Sequence, residues 1–329
     1  MLNVPFRLPS DPSRWITVPP QGYGGIQWVV ANLVDGLVEL GCSVALLGAP
    51  GTAVRERLDV VPVVDQGGVQ RWLEARDVDI AHDHSNGAMV VPDRAGVPVI
   101  STFHLTGAPR HPANCVYVSH AQRRMAGSAR APVVRLPVNP DRYVFRAAKR
   151  DYLLFLGRVS AHKGVWEAAR FAAAAGLPLR VAGPAWEADY LAALLADYPS
   201  TVEYLGEVGG QARLDLLADA RAVLVMSQPV AGPFGTEWVE PGATVVSEVA
   251  VCGTPTIATD NGCLSEIVPG VGTIVPGRTP PSARMAAQVL ESLPDAQTVR
   301  DLAVRRWSHV TIASRYLELY RWAARGGWT

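Results

Sequence analysis

The sequence is poor in charge, in lysine and in cysteine, and each shortage removes a class of protein. Charged residues make up 18% of the 329 residues, Lys+Arg and Asp+Glu each total 30, and the formal net charge is zero. A chain so balanced lacks the basic footprint of a nucleic-acid binder and carries no polybasic membrane anchor. The four cysteines, Cys42, Cys115, Cys252 and Cys263, lie far apart with no CxxC pair. A chain of this length needs no disulfide staples, so they read as reduced, buried thiols in a cytoplasmic protein. No run of ~18 apolar residues occurs, and the N-terminal MLNVPFRLPSDPSRW has no basic region followed by an apolar one, so neither a membrane span nor a secretion signal is expected. GxSxG, HExxH and papain-like cysteine signatures are absent, as are solenoid repeats and low-complexity tracts.

What is present is a globular composition, 49% hydrophobic, at a length that favours two domains. Ile26, Val29, Val30, Leu33, Val34, Leu37 and Val38 recur at helical spacing with Gly41 beyond them, which predicts a helix over residues 25–40. Short apolar runs then alternate with helical patterns. Strands are expected at 44–47, 60–64, 78–81, 97–101, 116–118 and 133–136. A polar stretch, Pro137 to Arg150, interrupts the alternation, which restarts at Tyr152. Further strands are expected at 179–182, 202–205, 222–225, 256–258 and 273–275, and helices near 165–175, 186–197, 211–219 and 243–251. The pattern is that of an α/β protein with two doubly wound, Rossmann-like domains in tandem. We place an N-terminal domain at 1–138, a linker at 139–150 and a C-terminal domain at 151–310. Such sheets bind ligands at the carboxyl ends of their strands, which makes the cleft between two of them the expected site.

Three motifs carry candidate chemistry. Gln21-Gly22-Tyr23-Gly24-Gly25 is a glycine-rich turn opening the first helix, where close backbone approach and free N–H groups favour an anion. It is not a dinucleotide fingerprint, because Gln27 stands at the third glycine position, and by itself it equally fits a helix entry with no ligand. Gly157-Arg158-Val159-Ser160-Ala161-His162-Lys163-Gly164 follows an expected strand and precedes an expected helix. Only Lys149 and Lys163 are lysines among the 30 basic residues. A compact ammonium in a chain that otherwise uses arginine suits a phosphate, and Arg158 adds a second cation, so the two would clamp a diphosphate unless the loop is merely solvated. The third motif is Glu240 to Glu248, with Pro241 expected at a first helical position. Eight residues at 1.5 Å rise put the carboxylates roughly 12 Å apart along that helix. That is too far for a paired acid and base, yet suits two ends of one extended ligand; helix capping by Glu240 and an exposed face for Glu248 are the alternative. His104, at the end of an expected strand, is a cleft-facing candidate or a structural histidine. His82-Asp83-His84 resembles a metal trio, but neighbouring residues on a strand point to opposite faces and no further ligand cluster accompanies it.

Together these residues resemble glycosyltransferase family 4, retaining nucleotide-sugar transferases of GT-B fold. GGIQWVVANLVDGLVELG, DIAHDHS, GRVSAHKG and EPGATVVSEVAVCGTP fall in the family's order, and the Glu-x7-Glu motif is met by Glu240 and Glu248. PPQGYGGIQWVVANL, AGPAWE and GEVGG are most similar to transferases of orthosomycin, avilamycin-type, antibiotic assembly. The resemblance implies an enzyme whose Arg158 and Lys163 hold the donor diphosphate, with Gly24 and Gly25 facing the same phosphates. Glu240 would accept from hydroxyls of the transferred sugar and Glu248 from the ribose. Gly206, Val208 and Gly209 would read the base edge, Gly242 and Ala243 would lie beside the donor, and His104 would approach the sugar or its phosphate. It further implies transfer with retention, no metal, no cofactor beyond a nucleotide diphosphate sugar of UDP type, and a small-molecule or glycan acceptor. A homodimer is among the expected assemblies. A nucleotide-sugar epimerase or hydrolase, or a binding protein without turnover, would use the same donor cleft.

Two departures from the family pattern stand out. The chain opens at Met1-Leu2-Asn3-Val4, so the first strand is expected to be clipped, and 5–20, with Trp15, is expected to be a loop. Pro241-Gly242-Ala243 follows the first motif glutamate where the family's commonest form is Pro-Phe-Gly, while Pro233-Phe234-Gly235 lies upstream. A final helix over 311–324, within 311–329, is expected to return to the first domain.

Overall fold

A computed structural model describes the chain except residues 1, 4, 5, 9, 10, 23, 53–57, 64, 234, 278, 328 and 329, with backbone alone at 2–3, 6–8 and 11–15. Its contacts divide it into two units, Met1–Asn139 with Trp307–Thr329, and Pro140–Arg306.

In the first unit the elements run β1 (Leu2–Asn3), β2 (Phe6–Leu8), β3 (Asp11–Ile16), α1 (Gly25–Glu39), β4 (Ala45–Gly48), β5 (Asp59–Pro62), α2 (Gln66–Glu74), β6 (Ala81–Asp83), β7 (Val99–Phe103), β8 (Cys115–Tyr117) and α3 (His120–Met125). The sheet is parallel with order β5-β4-β1-β6-β7-β8, so strand order reverses between β1 and β6. The expected short first strand is present at its centre, with Leu2 and Asn3 pairing Leu46 and Leu47 on one side and His82 and Asp83 on the other; Met1 and Val4 lie outside the described residues. The stretch 5–20, expected as a loop, instead contains the antiparallel pair β2–β3, with Phe6 opposite Ile16. Val133–Leu136 is not a strand. Val133 makes one bridge to Tyr117, and the chain leaves the sheet edge because two prolines, Pro132 and Pro137, bracket the run. The expected strand at 78–81 sits later, at Ala81–Asp83.

The second unit contains β9 (Arg150–Leu156), α4 (Val165–Ala175), β10 (Leu179–Ala182), α5 (Ala188–Asp197), β11 (Val202–Gly206), α6 (Gly210–Asp219), β12 (Ala220–Val225), α7 (Thr244–Val251), β13 (Thr256–Thr259), α8 (Leu264–Ile267), β14 (Gly272–Val275), α9 (Ala283–Glu291) and α10 (Ala296–Trp307). Its parallel sheet has order β11-β10-β9-β12-β13-β14, and the reversal falls between β9 and β12. Both units are therefore doubly wound in the Rossmann order. Leu153, Phe155, Val181 and Leu224 of the sheet are buried with Val165, Ala168, Phe171 and Ala172 of α4. Burying a side chain such as Phe171 contributes roughly 1.5–3 kcal/mol relative to leaving it exposed.

The last helix, α11 (His309–Ala324), belongs to the first unit and lies along α1. Val30, Leu33, Val34 and Leu37 share a buried cluster with Ile312, Ala313, Tyr316 and Tyr320. That spacing of three and four residues is the apolar stripe of an amphipathic helix pair.

Candidate active site

The reversal point of the second sheet gathers the motif residues. The chain leaves β9 into Gly157-Arg158, turns through residues 161–163, and enters α4. From the end of the adjacent β12, the chain runs through Ser227 and a hairpin closed by an Ala231–Glu237 bridge to Trp238 and Glu240. Phe234, in the upstream Pro-Phe-Gly, lies outside the described residues. Gly164 joins the two loops. It has φ +73°, and a Cβ there would lie 1.7 Å from the Met226 carbonyl oxygen, so only glycine fits.

Lys163 Nζ donates to both oxygens of Glu240, at 2.9 and 2.8 Å. Glu240 is 4% exposed. Burial alone would raise its pKa, but the Lys163 ammonium and hydrogen bonds from Lys163, Trp238 and Ser227 hold it below the ordinary carboxylate value. The Trp238 indole N–H lies 3.0 Å from Ser227 Oγ and 3.1 Å from Glu240 Oε2, and the ring lies 4.4 Å beneath the Lys163 ammonium. The Glu240 backbone is fixed as well: its N–H donates to Asn261 Oδ1 at 3.2 Å and its carbonyl accepts from Cys263 N–H at 2.8 Å. Gly262, φ +60°, permits this approach, since a Cβ would meet the Glu240 oxygen at 2.3 Å. His162 packs against Trp238 with ring centroids 4.8 Å apart and planes tilted by 57°, and burial, then Lys163 and Arg158, push its pKa down to about 4. The site thus holds a neutral imidazole, an ammonium and a carboxylate on one indole.

Arg158 shares the loop with Lys163 and places its guanidinium 3.9 Å over the ring of Trp186. The expected helix from Trp186 begins only at Ala188, and Trp186 serves as that platform from the preceding loop. Pro241 does not open a helix either. α7 starts at Thr244, capped by Ala243, so Pro241, Gly242 and Ala243 form an extended approach and the 12 Å rise expected between the glutamates does not apply. Glu248 lies in α7 and is 5% exposed, which excludes the exposed-face alternative. Its Oε1 accepts from Tyr143 OH and its Oε2 from Arg213 Nη2, each at 2.8 Å. Gly206 ends β11, Val208 and Gly209 follow in the loop before α6, and α6 carries Arg213.

The sequence reading missed Trp238, Trp186, Tyr143 and Arg213. Trp238, two residues before Glu240, and Trp186, inside AGPAWE, carried a local signal; Tyr143 and Arg213 carried none.

The remaining expected residues belong to the first unit. Gly24 is the N-cap of α1 and Gly25 its first residue; Tyr23 lies outside the described residues. His104 follows β7; its backbone N–H donates to Asn86 Oδ1 at 2.8 Å, and its ring Nε2 lies 3.0 Å from His84 Nδ1. His82 is tied at both nitrogens, 2.7 Å from Tyr320 OH and 2.7 Å from Thr102 Oγ1, and Thr102 reaches Tyr316 OH at 2.8 Å. Asp83 faces the other way, accepting from Ser85 Oγ and Gly87 N–H. Among the described residues no group of three His, Cys, Asp or Glu is arranged to hold a metal ion. None of the four cysteines forms a disulfide; three are buried, and Cys42, expected buried, is half-buried.

Residues 150–295 match the family described as glycosyl transferases group 1. Over 99% of this chain and 97% of the other, the sequence is 54% identical, with a TM-score of 0.93, to AviGT4, a glycosyltransferase involved in avilamycin A biosynthesis. The chain belongs to the group 1 glycosyltransferases and has their GT-B fold. More distant structures share that fold with this glycosyltransferase. Anabaena HepE in complex with UDP and glucose is 18% identical over 91% of this chain and 96% of that one, with a TM-score of 0.67. Sucrose-phosphate synthase from Thermosynechococcus elongatus is 15% identical over 99% and 98%, with a TM-score of 0.71. No curated protein matches the sequence. No helix among the described residues is long and apolar enough to cross a membrane.

Proposed function

We propose that this glycosyltransferase is a cytoplasmic, retaining, metal-independent enzyme that moves a hexose-type sugar from a UDP-type donor to a small-molecule or oligosaccharide acceptor in antibiotic assembly. The observation that carries the reading is the Lys163–Glu240 pair at the strand-order reversal of the second sheet. An ammonium suits the diphosphate and a carboxylate suits sugar hydroxyls, and the bond to be broken joins those two parts of a nucleotide sugar.

In this reading Lys163 and Arg158 neutralise the charge that grows on the β-phosphate as its bond to the anomeric carbon breaks. A preorganised cation in such a place is worth about 3–4 kcal/mol. Glu240 exchanges part of its contact with Lys163 for hydroxyls of the transferred sugar. The acceptor oxygen forms the new bond on the face the diphosphate leaves, and its proton passes to the departing phosphate oxygen, so no enzyme nucleophile is required. Glu248 accepts from the ribose, backbone at Gly206, Val208 and Gly209 reads the base, and Gly242 and Ala243 lie beside the donor. From the first unit, Gly24 and Gly25 serve the phosphates and His104 the sugar or its phosphate. The UDP and glucose held by Anabaena HepE support the donor class, and the kinship to AviGT4 supports the antibiotic setting.

Calorimetry with UDP, dTDP, GDP and ADP, first in EDTA and then in magnesium, tests this. UDP binding in EDTA that magnesium leaves unchanged is the expected result. Binding that requires magnesium would remove metal independence, and no binding by any of the four would remove the donor site. Donor consumption that depends on acceptor then separates transfer from hydrolysis or epimerisation.

A further inference from the structure

His84 and His104 share one hydrogen bond, and burial limits where its proton can lie. His84 follows β6 and His104 follows β7, so both rings stand at the carboxyl ends of neighbouring parallel strands, where sheets of this kind take their ligands. His84 Nδ1 lies 3.0 Å from His104 Nε2. The rings are 5.2 Å apart centre to centre with planes 27° apart, so the two nitrogens meet edge to edge, near the plane in which an imidazole donates and accepts. Both rings are neutral, because burial holds their pKa values far below 6.5. A neutral ring carries its N–H on one nitrogen and a lone pair on the other, so one proton lies between the pair.

His84 Nε2 decides which ring holds that proton. This nitrogen is enclosed and has no partner among the described residues. If His104 Nε2 donated, His84 would have to carry its own proton on Nε2, as a buried N–H without an acceptor. If His84 Nδ1 donates, Nε2 is a bare lone pair instead. Enclosed N–H groups without an acceptor are the rarer of the two in folded proteins, which favours the second arrangement. It obliges His104 to carry its proton on Nδ1. That nitrogen has no partner among the described residues either, but it belongs to a half-buried residue, with room for a ligand to supply one.

The pair is also held in place. The His82 ring packs 4.2 Å from that of His84 and is itself tied at both nitrogens, to Tyr320 OH and Thr102 Oγ1. Asn86 Oδ1 accepts the His104 backbone N–H at 2.8 Å. Asn86 has φ +58°, a left-handed conformation that asparagine adopts more readily than most residues, and the 84–86 segment thereby grips His104 by ring and by backbone. We propose that His84 is a positioning residue that fixes His104 as the Nδ1–H tautomer, so that His104 meets its ligand as a hydrogen-bond donor to a phosphate or sugar oxygen and not as a base. The role toward a ligand rests on the placement of His104 at the sugar or its phosphate made above; the tautomer does not.

Nitrogen-15 NMR of the full chain labelled at histidine, at neutral pH and without ligand, reads each ring nitrogen as protonated or bare, and His104→Phe assigns the His104 signals by their loss. The wild type is expected to show His104 protonated at Nδ1 and bare at Nε2. His84→Phe removes the donor and is expected to return His104 mostly to the Nε2–H form that a solvated imidazole prefers. His84→Asn sets an amide N–H in the place of Nδ1 and is expected to restore the wild-type pattern. In transfer assays His84→Phe is expected to lower kcat about tenfold, the worth of one aligned hydrogen bond, and His84→Asn to recover most of that loss. If His84→Phe fails to fold, the wild-type spectrum and His84→Asn carry the test. A proton on His104 Nε2 in the wild type, or a His104 pattern that His84→Phe leaves unchanged, overturns the inference. The expected spectra with a kcat that neither His84→Phe nor His104→Phe alters would strike the placement of His104 at the donor, and the role toward a ligand with it. No transfer by the wild type from any nucleotide sugar would remove the proposed function, while the spectra still decide the tautomer.

Discussion

Lys163 lies against both oxygens of Glu240 while resting 4.4 Å above the ring of Trp238, whose N–H reaches one of the same oxygens. Neither charged group depends on the other alone. In the proposed donor complex Lys163 would keep the indole face while it holds a phosphate, and Glu240 would keep the indole N–H while it holds a sugar hydroxyl.

Glu240→Gln keeps the shape of the side chain and removes its charge. Turnover is expected to fall by about a hundredfold or more, the size seen when one preorganised polar group is lost at a reacting centre. UDP affinity is expected to hold or rise, because Lys163 is released from its partner. Parallel measurement of kcat and the UDP dissociation constant checks this, and a large loss of UDP affinity would place Glu240 on the nucleotide instead.

Trp238→Phe preserves a ring under Lys163 but deletes the N–H shared by Ser227 and Glu240. We expect kcat to drop about tenfold with UDP affinity within about twofold, since one hydrogen bond to a charged group contributes about 1.5–3 kcal/mol. Trp238→Leu removes the ring face as well and is expected to weaken UDP binding. Equal effects of the two substitutions on both constants would assign Trp238 to packing alone.

Arg158 is held over Trp186, and a cation on an aromatic face contributes about 0.5–2 kcal/mol. Trp186→Ala is therefore expected to weaken UDP binding about three- to thirtyfold with little change in thermal midpoint. Unchanged affinity would show that the stack does not prepare Arg158 for phosphate.

The histidines of the first unit make it sensitive to acid. Burial holds His82 and His84 well below the ordinary value of 6.5 and His104 at about 3. Below pH 6.5 the unfolded chain binds protons at these rings that the folded chain refuses, at His104 down to about pH 3, so their contribution to stability is full above 6.5 and is lost as pH falls. Each ring adds a slope of about 1.4 kcal/mol per pH unit inside its window. Denaturant titrations at pH 7.5, 6 and 5 are expected to show a steeper decline for the wild type than for His84→Phe, and matching slopes would contradict the assignment.

Much of the fold was legible because local and tertiary preferences agree. α4 spans the expected residues, Val165–Ala175: its alanines favour helix and left-handed glycines, Gly164 and Gly176, stand at both ends. α7 begins later than Pro241's position suggested because Pro241-Gly242 belongs to the extended approach that seats Glu240 against Asn261 and Cys263, and tertiary hydrogen bonds outweigh the proline's preference for a first helical position. α10 went unread because it is largely polar, although Val299, Ala303 and Trp307, four residues apart, form its buried edge. In the candidate site, Lys163 and Glu240 stood out by residue type and motif. Their supports did not, because Trp238 lies at the end of an irregular hairpin and Tyr143 and Arg213 reach Glu248 from 105 and 35 residues away. Such contacts are written in the packing of separate elements, which periodicity does not record.

A crystal structure of the protein with UDP tests the central claim most directly. The account predicts the β-phosphate within hydrogen-bond distance of Lys163 Nζ and the ribose hydroxyls on Glu248, with Lys163 still over Trp238. UDP bound away from the β9–α4 loop, with the Lys163–Glu240 pair untouched, would contradict it.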